Sequence, residues 1–410
     1  MKILIVMSYS PFPIRRGTDR LTKALIDGLT ARHEVTLATM TLAASEEEAL
    51  KALESDRFSA RFIRAPNKRS VFHQAWYKGV NLARTATALL PPQVSYARPV
   101  AFVKHVKRVA EEVQPDLVLV NYWHLHDLSL ELGAFKVVLI THNINFVVTG
   151  ERMKRITSPF ELVLARARAF LEERIERKAY SSYDAILTLT ERDAEAVVRA
   201  VGAGGKTIVP LPLALDLRYY EPQGFEREKD TILFFGALDA DFNRDALRYF
   251  AREVFPGVRK ALPACRCDLL GHGLSASLRR ELPQGFAYIE SVEDVRSYLA
   301  KCGCMVLPLR FGGGVRIRMM EAAAMGTPVV STPVGVAGMG LERGLDYLEA
   351  ADAGGMIQSI LEILTDRDLA RRIGESARRW ALERISMDDY PARLDACFAL
   401  LERTFSKRLM

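Results

Sequence analysis

Residues 305–330 read MVLPLRFGGGVRIRMMEAAAMGTPVV and predict a strand, a turn and a helix in direct succession. The apolar run 305–309 is typical of a buried strand, and the three glycines that follow leave the turn without side chains. The pattern becomes helical from Val315, and Gly326 with Pro328 ends the helix. Because a glycine-rich turn presents free N–H groups at the positive end of the next helix dipole, this segment favours a bound phosphate.

The charged residues of this helix indicate what such a phosphate would belong to. Arg316 and Arg318 place two positive charges in the first turn, where the helix dipole alone disfavours cations, so an anion is expected between them. Glu321 lies on the same helix face as Arg318, and its carboxylate can accept hydrogen bonds from two vicinal hydroxyls, as on a ribose. Together they suggest a nucleoside-diphosphate ligand. The alternative is an ordinary turn with a surface Arg–Glu pair.

The composition is that of a globular protein. The chain has 410 residues, of which 49% are hydrophobic and 26% charged, and this length corresponds to about two or three domains. The apolar run Lys2–Met7 is too short for the core of a signal peptide, and no run approaches about 18 apolar residues, so we expect a cytoplasmic protein. Two Cys-x-Cys pairs have a spacing unlike that of structural zinc sites. We therefore expect buried thiols and no metal.

The net charge of +7 is carried by the first half of the chain. Residues 1–200 hold 29 Lys and Arg against 22 Asp and Glu, whereas residues 201–410 hold 28 of each. The basic segment 66–108 also contains aromatic residues, and this mixture suits docking at an anionic membrane surface. The alternative is a solvated basic face over core aromatics. No nucleic-acid module is apparent, so no nucleic-acid partner is expected. The residues concerned are Lys68, Arg69, Phe72, Trp76, Tyr77, Lys78, Arg84, Arg98, Lys104, Lys107 and Arg108.

Predicted strands and helices alternate twice along the chain, which indicates two parallel sheets covered on both faces. The predicted fold class is therefore α/β, with two doubly wound Rossmann-like domains and a cleft between the carboxyl ends of their sheets. Residues 1–216 form the first domain, the polar stretch 217–230 a linker, and residues 231–387 the second domain. Residues 388–410 are expected to form a helix that packs back on the first domain.

The loop after the first strand narrows the choice of ligand. Residues 8–17 contain Pro11, Pro13 and Gly17 but no Gly-x-Gly-x-x-Gly pattern, so a nicotinamide enzyme is not expected. Gly17 begins the next helix and can let a phosphate approach from the first domain. A plain helix-start glycine is the alternative.

Taken together, these motifs resemble the GT-B fold glycosyltransferases, and within them the retaining group of family 4, over nearly the whole chain. In the second half, the segment of Gly236 and Asn243 resembles the start of the family's second domain, and Leu270-Gly271-His272-Gly273 resembles its strand-end Gly-x-Gly. Residues 312–321 resemble the donor-binding core, with a Gly-Gly-Gly-x-Arg-x-Arg pattern before Glu321. In the first half, Thr141-His142-Asn143 fits the strand end where the family often has an active-site histidine.

The resemblance implies a hexosyltransferase-type enzyme. It would move a sugar from a nucleotide-diphosphate sugar to an acceptor hydroxyl with retention, without a metal or cofactor. The first domain would bind the acceptor and the second the donor. His142 could orient the donor sugar, and His124 and His126 could line the acceptor side. The implied catalytic residues are His142, Arg316, Arg318 and Glu321, and the implied donor-binding residues are Gly17, Gly236, Asn243, Gly271, Gly312, Gly313 and Gly314.

The chain also departs from the family pattern. Gly313 stands where many members have the first of two glutamates, and Leu238 stands near an expected arginine, so the diphosphate would be held by Arg316 and Arg318. A nucleotide-sugar 2-epimerase of the same fold and an inactive sugar-nucleotide-binding scaffold are the alternatives. The expected setting is the synthesis of cell-surface polysaccharide or another glycoconjugate or glycoside. The acceptor would be a glycan, a lipid-linked sugar or a small molecule, met at the inner face of the membrane.

Overall fold

The computed structural model describes residues 1–65, 94, 97, 99–156, 158–202, 206–222, 227–292 and 294–407. The chain divides into two compact units. The first comprises Met1–Leu213 together with Asp388–Met410, and the second comprises Ala214–Met387. Most of the basic segment 66–108 lies outside the described residues. Residues 94, 97 and 99–108 are described, and a helix begins at Val100.

The first unit is a parallel seven-stranded sheet in the order β3-β2-β1-β4-β5-β6-β7. Its strands are β1 Lys2–Met7, β2 Glu34–Thr41, β3 Phe58–Arg64, β4 Leu117–Asn121, β5 Val137–Thr141, β6 Ala185–Thr188 and β7 Thr207–Pro210. The central strands are buried almost completely because helices cover both faces of the sheet. The helices are α1 Gly17–Thr30, α2 Ala44–Lys51, α3 Val100–Val113, α4 Leu128–Glu131, α5 Asn145–Met153, α6 Pro159–Ser182 and α7 Glu191–Val201.

The second unit is a parallel six-stranded sheet in the order β10-β9-β8-β11-β12-β13. Its strands are β8 Glu228–Phe235, β9 Arg266–Leu270, β10 Phe286–Ile289, β11 Cys302–Leu307, β12 Val329–Ser331 and β13 Leu348–Glu349. Its helices are α8 Asp241–Tyr249, α9 Phe255–Ala261, α10 Ala276–Glu281, α11 Arg296–Lys301, α12 Ile317–Ala324, α13 Ala353–Thr365 and α14 Arg367–Arg384.

The prediction of two parallel-sheet, Rossmann-like α/β domains is confirmed. Individual boundaries differ. Strand β8 begins at Glu228, inside the stretch predicted as a linker. The sequence pattern predicts one helix over residues 243–259, but the structure has α8, a π-helical turn over Phe250–Val254, and α9 there. Pro256 in the first turn of α9 explains this division, because proline has no N–H to continue an α-helical ladder.

The last helix, α15 (Tyr390–Lys407), belongs to the first unit and packs on α1. Gly28 makes this contact possible, because a Cβ there would lie 2.6 Å from Cδ1 of the Tyr390 ring. The Tyr390 hydroxyl donates to the carbonyl of Pro212 at 3.1 Å. Asp395 accepts from Arg32 and lies 3.1 Å from Nε2 of His33. The helix is therefore tied to the first unit by packing, hydrogen bonds and an ion pair.

All five cysteines are buried free thiols, and burial raises the pKa of each. In the described part of the chain, no group of three or more His, Cys, Asp and Glu side chains is arranged to hold a metal ion. No helix within the described ranges has the length and apolar character needed to cross a membrane.

Candidate active site

Three glycines line one edge of the second sheet. Gly236 and Gly271 directly follow the neighbouring strands β8 and β9, and Gly312 lies in the loop after β11, the strand on the other side of β8. Their φ angles are 154°, 143° and 135°, a region that favours glycine. A Cβ on Gly271 would overlap the carbonyl oxygen of Gly236, and a Cβ on Gly236 would overlap Nη1 of Arg318. The glycines therefore allow bare backbone and a guanidinium to pack together at this carboxyl edge.

Arg318 is held in place by two acceptors. It lies in the first turn of α12 and donates to the carbonyl of Phe235 and, at 2.7 Å, to Oδ1 of Asn243. The buried Asn243 in turn donates through Nδ2 to the carbonyl of Ala237 at 2.7 Å. Burial, and then the charge of Arg316, lower the pKa of Arg318 to about 9. An anion nearby would offset both effects, so this cation is suited to binding one.

Arg316 lies at the start of the same helix, beside the glycine turn. Its Nη1 donates to the carbonyl of Gly313, and its guanidinium carbon lies 5.5 Å from the ring centroid of Phe242. Gly312 makes room for it, because a Cβ there would lie 2.6 Å from Nη2 of Arg316. The structure thus brings both predicted arginines to the predicted turn, together with Gly236, Asn243, Gly271, Gly312, Gly313 and Gly314.

Glu321 lies on α12 in a more enclosed position than expected. Its side chain is 2% exposed, and Oε1 accepts a hydrogen bond of 2.6 Å from the hydroxyl of Tyr220. Sequence reasoning missed Tyr220, because the two residues are 101 positions apart and no local pattern indicates their pairing. The role of Glu321 toward a ribose stays a prediction. Any diol would have to share the carboxylate with Tyr220.

Two further side chains clarify how the charge at this edge is arranged. Leu238, near the position where the family often has an arginine, is completely buried in the core. Arg310, which sequence reasoning passed over, forms a two-point ion pair with Asp245, at 2.9 and 2.5 Å, and lies 4.9 Å from the ring centroid of Tyr249. Arg310 lies three residues after the end of β11, and this position was the signal available in the sequence. Its pairing with Asp245 leaves Arg316 and Arg318 as the better candidates for an anion.

His142 lies at the carboxyl edge of the first sheet, directly after β5. Its Nε2 is 3.1 Å from Oδ1 of Asn121, the last residue of the neighbouring strand β4. Burial, and then the charge of His124, lower the pKa of His142 to about 4, so the ring is neutral at neutral pH. With the Nε2 proton directed at the amide oxygen, Nδ1 carries the lone pair. Nδ1 finds no hydrogen-bond partner in the described part of the chain, and it can accept from a hydroxyl.

A stack of aromatic rings surrounds His142. The ring of Tyr122 lies 4.5 Å from His142 and 5.2 Å from His124, stacked on both, and its hydroxyl is 2.7 Å from that of Tyr9. Tyr122 has a φ of 78°, which is rare for a bulky residue and marks a position held by its surroundings. Sequence reasoning missed this pairing, although Tyr9 and Tyr122 closely follow the neighbouring strands β1 and β4. The second predicted acceptor-side histidine, His126, is buried.

Gly17 lies at the start of α1, as predicted, beside a buried acid. The Asp19 carboxylate accepts from the backbone N–H groups of Arg15 and Arg16 at 3.0 and 2.9 Å. Burial raises the pKa of Asp19 despite these bonds. The start of α1 therefore already carries a carboxylate, and binding of a phosphate at Gly17 stays a prediction.

Two parallel-sheet, Rossmann-like domains of this kind are the architecture of the GT-B fold. The model of Glycosyltransferase Family 4 matches residues 15–219, and that of Glycosyl transferases group 1 matches residues 229–366. The chain belongs to Glycosyltransferase Family 4. No curated protein sequence matches the chain significantly.

Solved structures support the same fold. Sucrose-phosphate synthase from Thermosynechococcus elongatus is 16% identical, with a TM-score of 0.74 over 98% of this chain and 99% of that one. Anabaena HepE in complex with UDP-glucose is 15% identical, with a TM-score of 0.67 over 97% and 99%. A Staphylococcus aureus TarM variant in complex with fondaparinux, α-GlcNAc-glycerol and UDP is 11% identical, with a TM-score of 0.66 over 98% and 99%. At these identities the similarity shows the fold alone.

Proposed function

We propose that this glycosyltransferase moves a sugar from a nucleoside-diphosphate sugar to an acceptor hydroxyl, with retention and without a metal. The observation that carries the proposal is the pair Arg316 and Arg318 at a glycine-lined strand edge. Two guanidinium groups, one of them with its pKa lowered by burial and by its neighbour, gain most from a ligand with two adjacent negative groups. A diphosphate has that chemistry.

The same residues would then stabilise the leaving group. When the bond from the sugar to the phosphate oxygen breaks, negative charge develops on the diphosphate. In this proposal Arg316, Arg318 and the N–H groups of residues 312–314 donate hydrogen bonds to that charge. In the proposed front-face reaction, the acceptor oxygen attacks the sugar carbon from the side of the leaving group, and its proton passes to the leaving phosphate. We propose that neutral His142 accepts a hydrogen bond from a sugar hydroxyl at Nδ1.

The identity of the donor and acceptor is proposed from the structural neighbours. HepE is complexed with UDP-glucose, and the TarM variant with UDP and a GlcNAc-glycerol compound. A uridine diphosphate sugar is therefore the first donor to test. The acceptor would be a glycan, a lipid-linked sugar or a small molecule in the synthesis of cell-surface polysaccharide or another glycoconjugate. An enzyme with a lipid-linked acceptor would be peripheral to an anionic membrane.

The experiment is a binding titration with uridine, guanosine and adenosine diphosphates and their glucose esters. Arg318→Ala is expected to weaken diphosphate binding by about 1–3 kcal/mol, roughly a tenfold to hundredfold rise in Kd, because a charge-assisted hydrogen bond is lost. Arg372→Ala, on an exposed part of α14, is the matched control and should bind as wild type does. Unchanged affinity in Arg318→Ala would rule out the site.

Two further measurements test the finer parts of the proposal. Release of nucleoside diphosphate should persist in a metal chelator, and the sugar product should keep its anomeric configuration by NMR. Loss of activity in chelator would overturn the proposal that no metal is needed. Inversion of the anomeric configuration would overturn the proposal of retention.

A further inference from the structure

Helix α6 extends beyond the sheet that it covers. Its 24 residues span about 36 Å, yet its buried residues begin only at Ala169, and residues 159–168 include none that is buried. Helix α5, which precedes it, has no buried residue. Residues 145–156 and 158–170 therefore form an arm whose base packs against the core through Phe146 and Val147, and whose outer part is exposed. We call it the α5–α6 arm.

The α5–α6 arm carries a large apolar face. Phe160, Val163, Leu164 and Phe170 are 74%, 63%, 56% and 67% exposed. At about 100° per residue these four side chains fall within roughly 120° of the helix circumference, so they share one face. Exposed apolar side chains are normal when scattered singly, but a contiguous group of this size marks an interaction surface.

The charges of the α5–α6 arm are mostly positive. The arm contains five basic residues and two acids, Glu151 and Glu161. At about 100° per residue, Arg166 and Arg168 lie on opposite sides of the apolar face. The basic residues, all exposed, are Arg152, Lys154, Arg155, Arg166 and Arg168. An apolar face with basic residues on both sides is the pattern of a helix that lies in the interface of an anionic bilayer.

The arm is anchored next to the candidate site. Helix α5 begins at Asn145, three residues after His142, and α6 then runs back to the start of β6, so the exposed half of α6 lies toward the carboxyl edge of the sheet. The buried Glu176 accepts from the N–H groups of Asn145 and Phe146, both at 2.9 Å, and Thr149 donates to Glu172 at 3.0 Å. These bonds hold the base of the arm in a defined position beside His142.

We propose that the α5–α6 arm docks on an anionic membrane surface, with Phe160, Val163, Leu164 and Phe170 in the interface. The docked arm brings the carboxyl edge of the first sheet to the depth of lipid headgroups, where a lipid-linked acceptor presents its hydroxyl. That last step rests on the proposed function, whereas docking itself does not. Positive charge argues against a second copy of the chain as the occupant, because two arms would bring their basic residues together.

The test is co-sedimentation of the full chain with phosphatidylcholine vesicles, with or without phosphatidylglycerol, at low and high salt. Wild type should favour the anionic vesicles, and high salt should weaken binding. The double variant Phe160→Ser/Phe170→Ser should bind at least about tenfold more weakly, because two exposed aromatic side chains no longer enter the interface. Leu130→Ser is the matched control, since Leu130 is 68% exposed on α4, outside the arm, and should bind as wild type does.

Each outcome of this experiment either supports or overturns docking of the α5–α6 arm on a membrane. Equal binding of the double variant and wild type, or no preference of wild type for anionic vesicles, would overturn the proposal. Light scattering that shows a dimer lost in the double variant, without vesicle binding, would assign the face to a second copy. Uridine diphosphate binding, measured without vesicles, should be unchanged in the double variant. Wild type that binds vesicles but no nucleotide would contradict the proposed function and leave the docking surface supported.

Discussion

The two sheets present different chemistry at the same edge. Both are parallel, and in such sheets ligands bind beyond the carboxyl ends of the strands. In the second unit that edge consists of glycine backbone and the guanidinium groups of Arg316 and Arg318. In the first unit it consists of the stacked rings of Tyr122, His124 and His142. The comparison teaches that one architecture can present guanidinium groups at one carboxyl edge and neutral aromatic rings at the other.

The largest expected effect tests whether the glycine edge needs bare backbone. Gly271→Ala should destabilise the second unit by about 3–5 kcal/mol, because the new Cβ meets the carbonyl of Gly236 at a strained φ. Gly340→Ala is the matched control: Gly340 also has a positive φ, 73°, but no atom within 4 Å of the new Cβ, so the cost should be about 1 kcal/mol. Urea unfolding measures the free energy of unfolding of both variants. If the two variants lose the same amount, backbone strain alone explains the need for glycine at this edge.

The next effect concerns Glu321, a buried carboxylate on α12. If Glu321 binds a ribose diol, Glu321→Ala should remove most activity and leave the fold intact, since each lost hydrogen bond to a charged group is worth about 1.5–3 kcal/mol. Wild type should bind a 2′,3′-dideoxy donor poorly, and the variant should bind it no worse.

Tyr220→Phe is the companion variant, because it removes the hydroxyl that donates to Oε1 and keeps the carboxylate. It should retain donor binding and lose about 1 kcal/mol of stability. If Glu321→Ala weakens the binding of ribose and dideoxy donors equally, Glu321 serves the packing of α12 and the charged edge binds phosphate alone.

A pH series tests whether His142, at the edge of the first sheet, is neutral in the folded protein. The pKa of His142 is lowered from 6.5 to about 4, so between these values the unfolded chain binds a proton that the folded chain excludes. The stability from this group is therefore full above 6.5 and falls as the pH is lowered toward 4. When the pH is lowered from about 7 to about 5, the free energy of unfolding in urea should fall by about 2 kcal/mol more in wild type than in His142→Asn. If the free energy of unfolding falls equally in both proteins, the pKa of His142 is not lowered in the folded state.

The smallest effect concerns the support of the aromatic stack. Tyr9→Phe removes the 2.7 Å bond between the hydroxyls of Tyr9 and Tyr122 and should cost about 1 kcal/mol. Because Tyr122 keeps its stacking on His142, donor diphosphate affinity should stay as in wild type, and only the rate of transfer should decrease. If diphosphate affinity falls in Tyr9→Phe, the edge of the first sheet affects donor binding as well as transfer, contrary to the proposal.

The sequence predicted those features that local patterns determine. The strand, glycine turn and helix around Arg316 were correctly placed, because alternating apolar runs, glycine and proline act within a few residues. The pairs Tyr220–Glu321, Asn243–Arg318 and Tyr9–Tyr122 were not predicted, because they join residues 75 to 113 positions apart. Helix α5 and strand β10 were missed for a related reason: they are short, and tertiary contacts rather than propensity stabilise them.

Because α15 belongs to the first unit, the two units are expected to complete their folding in a fixed order. During synthesis, all of Ala214–Met387 emerges before the helix that packs against Gly28 and pairs with Arg32. The second unit is continuous in sequence and can complete its sheet while the chain is still growing. The first unit, although most of it is translated earlier, has to wait for Asp388–Met410, a delay of tens of seconds at about 5–20 residues per second. The second unit is therefore expected to be finished first.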